Sequence, residues 1–387
     1  MSEYQFLAFR AVDRPLTDRE LVYARNQSSR AEITCWRFEN EYHFGDFSGD
    51  AVGLLRHGYD AHLHYANFGI RKMALRLPSG LPLPNSVWAK YISLEGLTWK
   101  KDSRGKGGVL TLNPYHDAGD LEEIWSPGEY LDNLVKIRNQ LLTGDARVLY
   151  SLWLCAAADQ YGSPDIIEPP VPGGLTECLE LCGPVMEFFG LDPMILVAAS
   201  EGAPTLPAQQ DQQHCRDAWI EALSQRECKG LLRKLLVDNA AVVKAEMLAA
   251  IRESAPSKNW PCAALGRTFA ELLERTDVLR TEHEAKAQKK REAASRRKAA
   301  RQECERQDRM KQMVNAPQKW LREATTLVEA RGTNNYKAAA EILADLRDAV
   351  GGDEGAQITG KHAAHLAMKH PTLTHLKSSL RKRGLLE

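Results

Sequence analysis

The residues with the clearest capacity for chemistry lie in DAHLHYANFGIRKMALRLP, positions 60–78. In an extended chain, side chains two apart share a face, so Asp60, His62 and His64 point one way while Ala61 and Leu63 point the other. Two imidazoles and a carboxylate at that spacing are ligands for a divalent metal, and His43, Asp46 and His57 lie close in sequence as further donors. A metal-dependent enzyme built on Asp60, His62, His64 and His43 is one expectation. The other, preferred here, is a half-exposed strand whose polar face meets water, because spacing alone does not bring ligands to one point.

A second group occupies NEYHFGDFSGD, residues 40–50, where Glu41, His43 and Asp46 are candidate acid and base groups. The same stretch reads structurally as a loop turned by Gly45 and Gly49 and anchored to a sheet by Tyr42, Phe44 and Phe47. No GxSxG, GxGxxG, HExxH or phosphate-binding glycine loop is present, so the reading leans away from an enzyme. Cys178 and Cys182, four apart in LTECLELC, share a helix face and read as core, and His362 and His365 lie one helical turn apart.

The third group is compositional. From residue 281 to 312 there are eleven basic and six acidic residues, a net +5. Lys289, Lys290, Arg291, Arg296, Arg297, Lys298 and Arg301 are candidate contacts to nucleic-acid phosphates. The alternative is a solvated spacer helix, rich in alanine and held by Glu–Lys and Glu–Arg pairs, and the absence of aromatics that could stack on bases favours it.

The elements that must carry these groups follow from periodicity. YQFLAFRAV, AEITCWRF, YDAHLHYANF and IRKMALRLP read as strands, with helices after PLT and over GDAVGLLRHG; Thr17 and Glu20 form a capping box. The order β-α-β-α-β-β, followed by a hairpin with KKDSRGKGG at its tip, predicts a small α+β domain with helices over one face of the sheet. Helical periodicity takes over from about Asp117, interrupted at 161–174 and 200–213 by Pro- and Gly-rich stretches that read as linkers or surface crossings. A helix of about fifty residues is allowed from Leu265 to Met313, and beyond His283 it is too poor in large apolar residues to bury much. It would span about 75 Å. The expected division is 1–115, an α+β domain; 116–262, a helical domain; 263–316, a long basic arm; and 317–387, a C-terminal helical module.

In that module, Trp320, Leu321 and Leu327 form one stripe and Tyr336, Ala340, Leu343 and Leu346 another, with further helices over GKHAAHLAMKH and LTHLKSSLRKRGLL. Trp320, NNYKAAAEILADLRDAV and HAAHLAMKHPTLTHLKSSLRKRGLL together resemble the helical tail of bacterial SWIM zinc-finger proteins over about the last seventy residues. The zinc knuckle of that family needs a CxC followed by a CxH. This chain has neither, so zinc and DNA binding are not implied by the likeness. The words RPLT, RAEIT, NEYHFGDF and DAHLHYANFGIRK resemble a group of uncharacterised bacterial proteins over roughly the first 200 residues, implying a bacterial setting and a partner with a similar tail.

The 387 residues carry 51 basic and 51 acidic side chains, so no global field draws the chain to nucleic acid or an anionic membrane. The eight scattered cysteines, the lack of a secretory signal and the lack of a long apolar run predict a cytoplasmic protein without a membrane partner. Three functions are expected in order: an interaction or adaptor protein presenting its first domain on a helical arm; a nucleic-acid-associated component of a regulatory or defence complex; and an enzyme with a divalent metal on the N-terminal sheet. No other cofactor is expected.

Overall fold

The computed structural model describes residues 3–386 except 82, 118, 120, 160–163, 207–211, 239 and 255–259. Parts of both expected linkers, 161–163 and 207–211, lie outside the described residues. The chain forms two compact units, residues 1–282 and 283–387.

In the first unit the strands β1 (Gln5–Arg10), β2 (Glu32–Ile33), β3 (Arg37–Tyr42), β4 (Ala61–Ala66), β5 (Ile70–Leu77), β6 (Leu97–Lys101) and β7 (Gly108–Leu112) form one antiparallel sheet in the order β2-β3-β1-β4-β5-β7-β6. The single strand expected at 31–38 is a tight hairpin instead. The Thr34 hydroxyl accepts from the backbone N–H groups of Trp36 (3.2 Å) and Arg37 (3.0 Å), closing a turn that sequence alternation conceals. Gly69, at φ +107°, turns β4 into β5 as expected.

Helices α1 (Asp18–Arg25) and α2 (Ala51–Arg56) cover one face of the sheet. Thr17 and Glu20 close the capping box of α1, and Asp50 caps α2. Against Leu7, Phe9 and Phe38 these helices and their flanks bury Leu16, Ala24, Leu54 and Leu55, each large side chain contributing roughly 2 kcal/mol of transfer free energy. The short α3 (Asn85–Trp88) precedes β6.

The opposite face carries the larger core. Leu63, Tyr65, Met73, Leu75 and Leu110 pack there with α4 (Glu129–Leu141), α5 (Ala146–Ala157) and α6 (Leu179–Phe188) in one continuous cluster. Both faces are therefore covered, where helices over one face were expected. The sheet and the helices after residue 116 also share a core, since the apolar faces of α4 and α5 have the sheet as their partner.

The stretch after residue 164 also differs from expectation. It packs rather than crossing the surface: Glu168, Val171 and Leu175 are buried, and the short strands β8 (Val171–Pro172) and β9 (Cys262–Ala263) pair. Glu168 accepts from Tyr150 (2.7 Å) and Arg267 (2.6 Å), so long-range polar contacts replace the missing periodic pattern. Helices α7 (Ile195–Ser200), α8 (Gln212–Ala222), α9 (Gln225–Val237) and α10 (Ala240–Ser254) precede the long helix.

Helix α11 runs Phe269–Asn315, 47 residues. It starts later than Leu265 because Gly266 is at φ +70° and Thr268 caps the first turn by accepting from the Glu271 N–H (3.2 Å). In the second unit α12 (Pro317–Glu329), α13 (Thr333–Val350), α14 (Gly352–Lys369) and α15 (Thr374–Lys382) follow. They enclose Leu321, Val328, Tyr336, Leu343, Leu346, Leu366 and Leu380, together with Met313. Gly384, at φ +66°, ends α15 as expected. Among the described residues no helix is long and apolar enough to cross a membrane.

Candidate nucleic-acid interface

The histidine strand is a core element. His62 is 1% exposed, its ring stacked on Phe9 with centroids 4.1 Å apart, and its Nδ1–H donates to the Ala8 carbonyl (3.1 Å). Burial, with the neighbouring His64, pulls its pKa down to about 3, so it is a neutral packing group at ordinary pH. His64 Nε2 lies 3.1 Å from Gln5 Oε1, which fixes it as the donor; Gln5 Nε2 in turn donates to Asp46 Oδ1 (2.6 Å). Burial and the facing Lys72 lower the His64 pKa to about 4.

Asp60 points elsewhere. Its Oδ2 accepts from the backbone N–H groups of Val12 (2.7 Å) and Asp13 (3.0 Å), and its Oδ1 accepts from Arg138 (2.7 Å). Arg138, fully buried, also makes a bidentate pair with Asp13. Burial disfavours the guanidinium, but Asp60 and Asp13 more than reverse that and raise its pKa. His43 is exposed, with its ring 5.6 Å from Tyr4, and Glu41 is hydrogen-bonded to Tyr4. Burial followed by Glu41 pushes the Tyr4 phenol up to about 12.

The proposed ligands thus go to separate destinations. Among the described residues, no three His, Cys, Asp or Glu side chains form a group able to hold a metal ion. Asp60 has its acceptor sites filled and His62 has its ring enclosed, so these residues do not fit a divalent metal. Over Asp60 and His62 this face is closed to water, while His64 is half-buried. Of the acid–base candidates Glu41, His43 and Asp46, only Asp46 joins the strand, through Gln5. The loop is anchored by Tyr42 and Phe47, whereas Phe44 is 82% exposed. Cys178 and Cys182 are buried as expected, and His362 Nε2 lies 3.0 Å from the Thr325 hydroxyl.

The basic helix behaves in the opposite way. Residues 288–308 of α11 are all exposed. Between 286 and 301 the sequence holds Lys286, Lys289, Lys290, Arg291, Arg296, Arg297, Lys298 and Arg301 against a single carboxylate, Glu292. Arg301 pairs with Glu305 (2.8 Å). For the other seven there is no hydrogen bond or ion pair among the described residues, so the ladder of Glu–Lys pairs expected of a spacer helix is missing here.

The zero net charge also conceals a division. Residues 283–387 contain 22 basic and 13 acidic residues, a net +9, and residues 1–282 contain 29 and 38, a net −9. In the acidic unit a cavity of about 690 Å³ is lined by Glu122, Glu123, Glu129, Glu187 and Asp192 beside the exposed Trp125. Its one guanidinium, Arg71, is engaged by the carbonyls of Phe188 (2.6 Å) and Glu122. Like-charge repulsion makes that unit a poor surface for a polyanion.

Sequence reading also passed over α9. Leu232 (60%), Leu236 (87%) and Val237 (84%) are exposed there, and the run GLLRKLLV was the available signal. No protein-family model, curated protein or solved structure matches the chain.

Proposed function

We propose that the protein binds nucleic acid through its phosphate backbone, with residues 286–301 of α11 as the contact surface. The observation that carries this reading is the set of seven exposed basic side chains with no carboxylate partner among the described residues. Such charges are neutralised in solution only by small counterions, and a polyanion that displaces those counterions gains the entropy of their release. Binding then weakens steeply with salt, with a slope of about −0.9 per phosphate neutralised on duplex DNA. Titration of the full chain against labelled polynucleotide across a salt series tests this. R296E/R297E/K298E should abolish the complex at low salt and leave the thermal midpoint unchanged. Undiminished binding by that variant would remove the reading.

A second reading, the adaptor, is supported by the exposed face of α9. Burying Leu232 and Leu236 against a protein partner would remove apolar surface from water. A partner with a similar helical tail belongs to this reading. Light scattering after size exclusion, with wild type and L232E/L236E mixed with candidate partners, tests it; a strict monomer with each partner counts against it.

A further inference from the structure

We infer that α11 seats in the major groove of B-form duplex DNA, with the row Ala287–Ala294 toward the groove floor. This rests on the nucleic-acid reading above and specifies its ligand. At about 100° per residue, Lys290 and Arg297 form one ridge along the helix and Arg291 and Lys298 form a second, about 100° further round. Ala287 and Ala294 occupy the trough between the two ridges, and Arg301 continues their row. Glu292 lies on the opposite side, about 160° from Ala294. Beyond Arg301, Glu305 and Asp308 return to the trough side and end the basic track after about 24 Å of helix.

Two parallel basic ridges flanking a row of small residues match a groove with a phosphate strand along each wall. A helix with its side chains is about 10–12 Å across, and the B-form major groove is about 12 Å wide. The major groove of duplex RNA is too deep and narrow to admit a helix. Single strands are held largely by aromatic stacking, and residues 283–308 contain no Phe, Trp or Tyr. Every residue from 288 to 305 is also exposed, as entry into a groove requires.

Fluorescence anisotropy of the full chain with a labelled DNA duplex, an RNA duplex of the same sequence and a single-stranded DNA of equal length tests the inference. Expected is duplex DNA bound at least about tenfold more tightly than either of the others. Filling the trough with A294L should weaken duplex DNA binding about fivefold or more without changing single-strand binding, while A299L, on the far side, changes neither. Leucine keeps helix propensity close to that of alanine, so both variants retain the helix. Equal affinity for all three polymers, or an A294L variant that binds duplex DNA like wild type, overturns the groove inference and leaves backbone binding standing. No binding to any polymer at low salt removes both.

Discussion

Strand β4 and the middle of α11 both present polar side chains at regular spacing, and the structure treats them in opposite ways. In β4 and at Asp60 just before it, every polar atom named above has a partner inside the fold: His62 the Ala8 carbonyl, His64 the Gln5 amide, Asp60 two backbone N–H groups and Arg138. In α11 the seven basic groups from Lys286 to Lys298 have none among the described residues. Buried polar groups must be satisfied or they cost several kcal/mol, so those of β4 are consumed by folding. Solvated charges carry no such requirement, so those of α11 remain available to a ligand. Regular polar spacing on its own therefore does not mark a site; what matters is whether the fold has already used the groups.

The largest way to break this contrast is at Arg138. R138A leaves the buried Asp60 carboxylate without its guanidinium, and should cost about 3–5 kcal/mol, read as a lowered denaturant midpoint. A midpoint unchanged from wild type would mean that the cluster is not the buried network described here.

Next in size is the pH dependence of β4. The folded pKa of His62 is about 3, well below its unfolded value of 6.5. Between those values the unfolded chain binds the proton and the native one does not, so the His62 contribution is complete above pH 6.5 and is lost as pH falls toward 3. Its full extent is on the order of 5 kcal/mol, reached only across the whole window. Carboxylates titrate in the lower part of the same window, so the measurement is the difference between wild type and H62L across it. Parallel stability curves for the two proteins would count against a buried neutral histidine.

On the other side of the comparison, R297A should leave the unfolding midpoint unchanged and reduce the salt slope of polynucleotide binding by about one. A lowered midpoint would show that Arg297 is part of the fold after all. The smallest effect is expected from L236E, which removes an 87%-exposed leucine from solvent contact. It should weaken binding to a protein partner without changing the midpoint, as followed by light scattering of the mixtures.

Much of the architecture was legible because its causes are local. The capping box of Thr17 and Glu20, the glycine turn at 69 and the helical stripes of Leu321 and Leu343 are decided within a few residues of chain. The Thr34 turn was missed because a hydroxyl bond to the backbone leaves no mark on apolar alternation. The burial of Glu168 was missed because its partners, Tyr150 and Arg267, lie 18 and 99 residues away. The candidate site divides in the same way: the basic run could be read directly, but the lack of partners for its charges could not, since that depends on which carboxylates come near.

The chain by itself determined that residues 284–308 of α11 carry too little apolar surface to enter a core, because alanine and long charged side chains gain almost nothing from burial. It also determined that Asp60, His62 and His64 begin on one side of a pleated strand. Only the tertiary structure decided what covers that side. A period of two records which residues face together, whereas the placement of α2 over the strand and of Arg138 beside Asp60 depends on contacts between segments far apart in sequence. The same long-range packing divided a neutral polypeptide into an acidic unit and a basic one.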